Sequence, residues 1–419
     1  MNPPIVAKKC LTRLILAALI IGIVQIASAA PIAILFVGNS FTFGRVDPVM
    51  SYNAVNVHDL TAGFNAINST GSNPWEPHPW GGVAGIFKQM TMEKGLDYDV
   101  SISARNAASL RGQFLNTATT AWDLRGNVAS RSWDVVVLQE QSDATLPTGK
   151  GKNANPAQFK AYADKFEAFI HNGLAQNYTE TQLYGSLPAC QATGQTTSQC
   201  STVRTTPANL NANANAKVYL TDTWARPDMV YSHKITLADT ASADGRPIVD
   251  SSAAGGVALT FYPSLTAMTK DLHDSIHGLA SANPGYAGVI GVGDAFQRAF
   301  DQGAVKTSAF YNAAGIYTMP QAGDLMSLWW DDYLHASKYG SYLDALMQFG
   351  TITGLNPLSL GAGEIAAFDL GIASADALTL QRIAAEQLGF SAVPEPAMLS
   401  MTAPGLNPIR FTRARRASD

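Results

Sequence analysis

A serine near the start of the chain and a histidine near its end are the side chains best suited to nucleophilic chemistry. Ser40 lies in the turn-forming segment Gly38–Gly44, directly after the apolar run Ile32–Val37. A serine hydroxyl becomes a nucleophile when a neighbouring base accepts its proton. His335 could be that base, and Asp332, three residues earlier, could fix the tautomer of the imidazole and stabilise its protonated form. These residue types predict Ser40 as nucleophile, His335 as general base and Asp332 as the orienting carboxylate.

Each of these residues also has a structural explanation. Ser40 could cap the helix that follows the turn, and His335 with Asp332 could simply begin another helix. The G-x-S-x-G turn of the α/β-hydrolases does not occur around Ser40. Taken separately the signals are weak, and their combination in one chain favours catalysis.

Five apolar runs define the elements that must position these side chains. Most lack strict alternation, as expected for strands buried on both faces: Ile32–Val37, Tyr98–Ala104, Trp133–Leu138, Val218–Thr223 and Gly288–Val292. Helical patterns lie between them: Val83–Lys94, Pro156–Asn172, Ser264–Ala280 and Asp294–Gln302. Strands that alternate with helices predict an α/β fold with a parallel sheet and helices on both faces. Ser40 would then lie at the carboxyl end of the first strand, with the loop 65–82 nearby.

The first 29 residues have the pattern of a secretory signal peptide. The basic residues Lys8, Lys9 and Arg13 precede the apolar segment Leu14–Ile26, and the small residues Ala27–Ala29 form a cleavage site. An uncleaved membrane anchor is the alternative interpretation. We expect an exported domain over residues 30–390, whose last part, 355–390, consists of additional helices.

The charge of the chain argues against one class of partner. The formal net charge is −4 and no block rich in lysine or arginine lies outside the termini, which argues against a nucleic-acid partner.

The cysteines predict one disulfide. Cys10 would leave with the signal peptide, so Cys190 and Cys200 remain as an even pair in an exported protein. They predict a disulfide within residues 179–216, a surface insertion rich in Thr, Gln, Asn and Ala; two free thiols are the alternative.

Two of these sequence blocks resemble the SGNH (GDSL-type) hydrolase superfamily. The first is Gly38-Asn39-Ser40, with Asn39 in place of the commoner aspartate, and the second is Asp332-x-x-His335. The resemblance spans about residues 32–354. It implies a three-layer α/β/α sandwich with a five-stranded, flavodoxin-like parallel sheet. It also implies ester hydrolysis that needs neither a metal nor an organic cofactor.

The same resemblance implies an oxyanion hole, for which the chain offers four candidate donors. The backbone N–H of Ser40 is the first. A second would come from the turn after the second strand, where the family has glycine and this chain has Ala108. The third is a side-chain amide after the third strand, for which Gln141 is the first choice and Gln139 the second. The alternative is that both glutamines are ordinary loop amides.

Two histidines at helical spacing are a further candidate site. His273 and His277 lie at i and i+4, which can bind a metal, but no third ligand is evident in the sequence, and a solvated helix face is the preferred interpretation. Asp294 is expected to cap the helix that follows the last strand. Trp224 is expected to lie in the core, although aromatic rings can stack on sugars.

The tail, residues 391–419, resembles a PEP-CTERM sorting signal. Val393–Ala397 is followed by a mildly apolar run and then by the four arginines Arg410, Arg413, Arg415 and Arg416. This resemblance implies processing by an exosortase and a location in the periplasm, at the cell surface or in the extracellular matrix of a Gram-negative bacterium. An O-acetylated polysaccharide is then the expected ester substrate, with a lipid or aryl ester as the alternatives. The alternative function is a catalytically silent polysaccharide-binding or matrix protein on the same fold.

Overall fold

A parallel sheet of six strands lies at the centre of the computed structural model, in the order β2-β3-β1-β4-β7-β8. The strands of the chain are β1 (Ile32–Gly38), β2 (His58–Asp59), β3 (Tyr98–Ala104), β4 (Val135–Leu138), β5 (Gln176–Thr179), β6 (Val203–Thr206), β7 (Lys217–Asp222) and β8 (Tyr286–Gly291). The five predicted strands are all present. The expectation of five strands is wrong by one, because the edge strand β2 has only two residues, both polar, and gives no apolar signal.

The structure describes residues 30–45, 47–64, 76–117, 122–234, 256–318, 320–321 and 323–390. The described residues from Ile32 to Phe390 form one unit, and Ala30 and Pro31 belong to a second. The predicted signal peptide (1–29) and the predicted sorting tail (391–419) lie outside the described residues. Within the described part, no helix is long and apolar enough to span a membrane.

The central strands are buried on both faces, so each divides its side chains between two hydrophobic cores. In β1, Ile34 and Phe36 belong to one core, while Leu35 and Val37 belong to the other. This division explains why the sequence of β1 is continuously apolar instead of alternating.

Helices cover both faces of the sheet and complete the predicted three-layer α/β/α sandwich. The helices in chain order are α1 (Ser40–Phe43), α2 (Gly82–Glu93), α3 (Leu110–Leu115), α4 (Leu124–Val128), α5 (Pro156–His171), α6 (Glu180–Leu183), α7 (Leu187–Ala192), α8 (Thr197–Ser201), α9 (Leu265–Ala282), α10 (Val292–Asp301), α11 (Lys338–Thr353), α12 (Ile365–Asp369) and α13 (Ser374–Gln387). Helices α2, α10, α11 and α13 pack into the core that contains Phe36, and α3 and α5 pack into the core that contains Val37. Helix α9 contributes to both cores.

The longer helices begin where the sequence supplies capping side chains. Asn155, Ser264 and Ser337 each accept a hydrogen bond from the first turn of α5, α9 and α11, respectively. Helix α11 is buried on nearly all sides, as expected for a helix between the sheet and a further helix, α13. The C-terminal helices predicted within 355–390 are α12 and α13.

The insertion 179–216 is more ordered than its composition indicates. Strands β5 and β6 form an antiparallel pair, and α6, α7 and α8 lie between them. The predicted disulfide between Cys190 and Cys200 is confirmed and joins α7 to α8, with Cα atoms 6.0 Å apart. A buried carboxylate attaches the insertion to the domain: Glu180 accepts hydrogen bonds from Tyr162 at 2.6 Å and from Arg111 at 2.7 Å. Because this attachment is polar, the sequence of the insertion shows no apolar periodicity that would have predicted it.

Candidate active site

The predicted nucleophile lies at the carboxyl end of β1, between β3 and β4. The chain leaves β1 toward β3 on one side and later returns to β4 on the other, so a crevice opens beyond this strand end. Gly38 ends β1, and a β-carbon at this position would collide with Thr42 Oγ1. Glycine is therefore required for the tight turn that presents Ser40.

Asn39 fixes the turn by three hydrogen bonds, two of which an aspartate could not make. Its Oδ1 accepts a hydrogen bond from the backbone N–H of Phe41 at 3.1 Å, which caps α1. Its Nδ2 donates to the carbonyl oxygens of Ala108 at 3.1 Å and Glu140 at 3.4 Å. Because an aspartate has no donor for these two carbonyls, the asparagine suits the loops that surround it.

The structure brings Ser40, His335 and Asp332 into one hydrogen-bonded chain. Ser40 Oγ and His335 Nε2 are 2.8 Å apart, and His335 Nδ1 and Asp332 Oδ2 are 2.5 Å apart. Only 5% of Ser40 and 7% of His335 is exposed. With a proton on Nδ1 directed to the carboxylate, Nε2 is free to accept the proton of the serine hydroxyl.

The loop that carries His335 is held by its own backbone. Asp332 Oδ1 accepts the N–H groups of Leu334 and His335, both at 2.9 Å. Tyr333 has a left-handed backbone conformation with φ 51°, and the Trp330 N–H donates to the His335 carbonyl at 2.8 Å. The single carboxylate of Asp332 therefore fixes both the backbone of the loop and the ring of its histidine.

Aromatic packing joins the serine turn to the histidine loop. Phe41 stacks on Trp224 with ring centroids 4.1 Å apart and meets the edge of His335 at 5.6 Å. Trp224 Nε1 donates to the Leu334 carbonyl at 3.0 Å. Trp224 is buried as predicted, and this hydrogen bond also gives it a positioning role that sequence reasoning missed.

The contacts of Asp332 favour its ionised form. Burial alone would raise its pKa, but the charge and hydrogen bond of His335 and the two backbone N–H groups outweigh burial and lower the pKa below its usual value. An ionised carboxylate at Nδ1 stabilises the imidazolium that forms when Ser40 loses its proton.

Gln139 and Gln141, the two candidate oxyanion amides, have different surroundings. Gln139 is buried; its Oε1 accepts from the Asn39 N–H at 3.2 Å and the Thr42 hydroxyl at 3.0 Å, and its Nε2 donates to the Glu140 carbonyl. Its oxygen is therefore engaged in the serine turn, and one of the two Nε2 hydrogens is directed to Glu140. Gln141 is partly exposed, and its side-chain amide makes no hydrogen bond within the described part of the chain.

The turn after β3 also differs from expectation in detail. The N–H of Ala108 donates to the Arg105 carbonyl at 3.2 Å, so this donor is already engaged. Ala107, one residue earlier, has a left-handed backbone with φ 55°. No hydrogen bond of the Ala107 N–H is found among the described residues, which makes it a better candidate donor than Ala108.

Glu140 is a buried acid that sequence reasoning missed. Its Oε1 accepts the N–H of Leu110 at 3.0 Å and that of Gln141 at 2.6 Å, so it ties the loop after β3 to the loop after β4. Burial raises its pKa to about 8, against the lowering effect of these two hydrogen bonds. Its only signal in the sequence was an acid two residues after an apolar strand.

The candidate histidine pair lies on a partly exposed face of α9, as expected, but it is also part of a cluster. The carboxylates of Asp222 and Asp294 lie beside His273 and His277. The expectation that Asp294 caps α10 is wrong, because the helix starts after Gly291 without a side-chain cap and the Asp294 carboxylate contacts His273 at 3.0 Å. The end of β7 and the first turn of α10 thus place two carboxylates beside the histidine pair, a juxtaposition that the sequence did not reveal.

The part of the loop 65–82 that the structure describes packs against the serine turn, as predicted. Trp80 stacks on Phe43 with ring centroids 3.9 Å apart. A β-carbon on Gly82 would collide with the Phe43 backbone, so glycine allows the two segments to approach closely.

No family model and no curated protein matches the chain. Among solved structures, it is similar to a candidate SGNH hydrolase from Slackia heliotrinireducens, with 14% identity, 77% of this chain and 99% of that chain covered, and a TM-score of 0.34. It is also similar to a DUF4886 family protein from Bacteroides uniformis, with 12% identity, coverages of 86% and 95%, and a TM-score of 0.37. A third is phospholipase A1 from Streptomyces albidoflavus, with 12% identity, coverages of 76% and 99%, and a TM-score of 0.29. At these identities and TM-scores, only the residues and contacts of this chain bear on its function.

Proposed function

We propose that the protein is a serine ester hydrolase of the SGNH type. The observation that carries the proposal is the continuous chain from Ser40 Oγ to His335 Nε2 and from His335 Nδ1 to Asp332 Oδ2. A residue that only capped a helix would not need a buried histidine within hydrogen-bond distance, nor would that histidine need its own buried carboxylate.

The geometry supports a two-step acyl transfer. Ser40 Oγ bonds to the ester carbonyl carbon while its proton passes to His335 Nε2. The tetrahedral intermediate then collapses, the bond to the alcohol oxygen breaks, and His335 donates its proton to the leaving alcohol. Water attacks the acyl-serine with His335 again as the base, which releases the acid and restores Ser40.

Three donors are proposed for the oxyanion. The first is the Ser40 N–H, which makes no hydrogen bond within the described residues and lies beside Ser40 Oγ. We assign the side-chain contribution to Gln141, because its side-chain amide makes no hydrogen bond within the described residues, whereas Gln139 accepts from Asn39 and donates to Glu140. The second backbone donor is assigned to Ala107, because the Ala108 N–H is occupied by Arg105.

The substrate class is proposed from the chain ends and from a cavity. The export pattern of residues 1–29 and the sorting pattern of 391–419 favour an extracellular polymer, and an O-acetylated polysaccharide combines such a polymer with an ester. A cavity of about 560 Å³ lies beside the histidine loop and is lined by Trp330 and Asp331 of that loop together with Tyr317 and Tyr339. Neither Ser40 nor His335 lines this cavity, so we propose that it holds a sugar unit of the polymer away from the scissile ester; aromatic rings and carboxylates of this kind suit a sugar.

An ester panel tests the proposal. Protein lacking residues 1–29 is assayed with p-nitrophenyl acetate, butyrate and octanoate and with acetylated xylan. We expect hydrolysis of the acetyl esters, and a loss of about 10⁴-fold or more in kcat for Ser40→Ala. His58→Gln, which alters an exposed histidine on the edge strand β2, is the control. A folded protein that hydrolyses none of these esters but binds the polysaccharide would replace the enzyme with a binding protein.

A further inference from the structure

A second cluster of ionisable side chains lies at the carboxyl end of β7, and the ester chemistry does not use it. Asp222 ends β7, His273 and His277 lie one turn apart on α9, and Asp294 lies in the first turn of α10. The four side chains come from three separate elements and are brought together by the fold.

The donor atoms of the cluster are spaced as the ligands of one metal ion would be. Each of the four side chains offers one atom, and these atoms all lie within 4.8 Å of one another. His273 Nδ1 is 3.0 Å and His277 Nε2 is 3.7 Å from Asp294 Oδ2. Ligands at about 2.0–2.1 Å from a tetrahedral zinc ion are about 3.3 Å apart. Small side-chain adjustments therefore suffice to place one ion between the four atoms.

The lack of hydrogen-bond partners at Asp222 is a second observation, separate from the spacing of the donor atoms, that points to a bound ion. The residue is 0% exposed, and neither carboxylate oxygen has a hydrogen-bond partner of good geometry; the backbone N–H of Asp294 approaches it and offsets only part of its charge. His277 Nε2 is likewise buried without a hydrogen-bond partner. Buried acids are normally paired or bound to a metal, because an unpaired carboxylate is costly to bury.

The backbone is adapted to bring these side chains together. A β-carbon on Gly293 would collide with the Thr223 carbonyl, so only glycine lets the first turn of α10 approach the end of β7 this closely. The same close approach sets Asp294 beside Asp222. The rings of His273 and His277 stack with centroids 3.9 Å apart, which leaves both facing the same carboxylates.

We propose that Asp222, His273, His277 and Asp294 bind one divalent transition-metal ion, with zinc as the best fit. Two imidazoles and two carboxylates suit zinc, whereas calcium and magnesium prefer oxygen ligands throughout. The charge of the ion balances the two carboxylates. The His273 and His277 side chains are 42% and 34% exposed, so an ion can reach the cluster from solvent.

The ion would connect β7, α9 and α10 behind the catalytic loops. Asp222 lies two residues before Trp224, which holds the Leu334 carbonyl and stacks on Phe41. The site therefore stabilises the strand end on which the histidine loop rests. This role is structural and does not depend on the proposed ester chemistry.

Metal titration of the chelator-stripped protein tests the proposal. Zinc binding is measured by competition with a chromophoric chelator, and cobalt binding by its visible absorption, which is intense for a tetrahedral N/O site. We expect one ion per chain, a rise in melting temperature on zinc addition, and at least tenfold weaker binding in His277→Gln and Asp222→Asn. His273→Gln removes a partly exposed ligand and leaves the buried residues unchanged. It should weaken zinc binding by the same factor.

His58→Gln is the matched control, because His58 is 68% exposed and pairs with the single carboxylate Asp99. It should bind zinc as the unsubstituted chain does. The proposal is overturned if the stripped chain binds no zinc or cobalt, or if His273→Gln and His277→Gln bind as tightly as His58→Gln.

Discussion

Asp332 and Asp222 are both buried aspartates near the carboxyl edge of the sheet, yet their surroundings are opposite. Asp332 is satisfied by His335 and two backbone N–H groups, and these contacts lower its pKa. Asp222 has no hydrogen-bond partner of good geometry, and burial followed by the charge of Asp294 raises its pKa well above the usual value. The first network is complete within the protein, and the second is the one for which we propose a bound cation. Burial of a carboxylate alone therefore does not reveal its role; its partners do.

The same substitution at the two positions should have opposite consequences. Asp332→Asn should lower kcat/KM for an acetyl ester by about 10³–10⁴-fold, because an amide does not hold the imidazole in the required tautomer. Asp222→Asn should raise the melting temperature of metal-free protein by a few degrees, because it removes a buried carboxylate without partners. Steady-state kinetics and thermal unfolding of chelator-treated samples measure the two effects.

Asp99→Asn is the control for both measurements, since Asp99 is partly exposed and pairs with Arg131 and His58. It should change kcat/KM by less than tenfold. The comparison would break if Asp332→Asn retained nearly full activity, or if Asp222→Asn destabilised the metal-free chain.

Substitution of the two glutamines should separate a catalytic amide from a positioning one. Gln141→Ala should lower kcat by about 10²–10³-fold with little change in melting temperature, because its amide is proposed to contact the oxyanion and holds no other residue. Gln139→Ala should lower the melting temperature, because it leaves the Asn39 N–H and the Thr42 hydroxyl without their acceptor. If Gln141→Ala is fully active, the backbone N–H groups alone serve the oxyanion.

Glu140 gives the smallest effect, a change in the pH dependence of stability. Its folded pKa is about 8 and its ordinary value is 4.5. Because the folded state holds the proton more tightly, Glu140 contributes most stability below pH 4.5, and this contribution is lost as the pH rises through 8. Glu140→Gln removes the titration and keeps an oxygen that accepts from Leu110 and Gln141. Melting temperatures between pH 5 and pH 8 should therefore fall less in the variant; parallel curves would contradict the assignment.

The sequence predicted the parts of the site that depend on local pattern. The apolar run of β1, the serine turn and the Asp332/His335 loop were all visible because strand burial and motif spacing are local signals. The edge strand His58–Asp59 was missed because two polar residues carry no such signal. The choice between Gln139 and Gln141 remained open because it depends on which amide the Asn39 turn engages.

The four-residue cluster shows a different limit of sequence reasoning. His273 and His277 were recognisable from helical spacing, but Asp222 lay unremarked within the predicted strand Val218–Thr223, and Asp294 was expected to cap a helix. Their contact depends on how closely α10 approaches β7, which Gly293 permits. A long-range approach of this kind leaves no periodic trace in one sequence.

Covalent labelling by a fluorophosphonate tests the central claim most directly, because the reagent reacts with a serine only when a base activates it. The folded chain is treated with the reagent, and the adduct is located by mass spectrometry of its peptides. We predict one adduct on Ser40, lost in His335→Ala and kept in His58→Gln. A folded chain that takes no label, or that is labelled at Ser40 equally well without His335, would contradict the account.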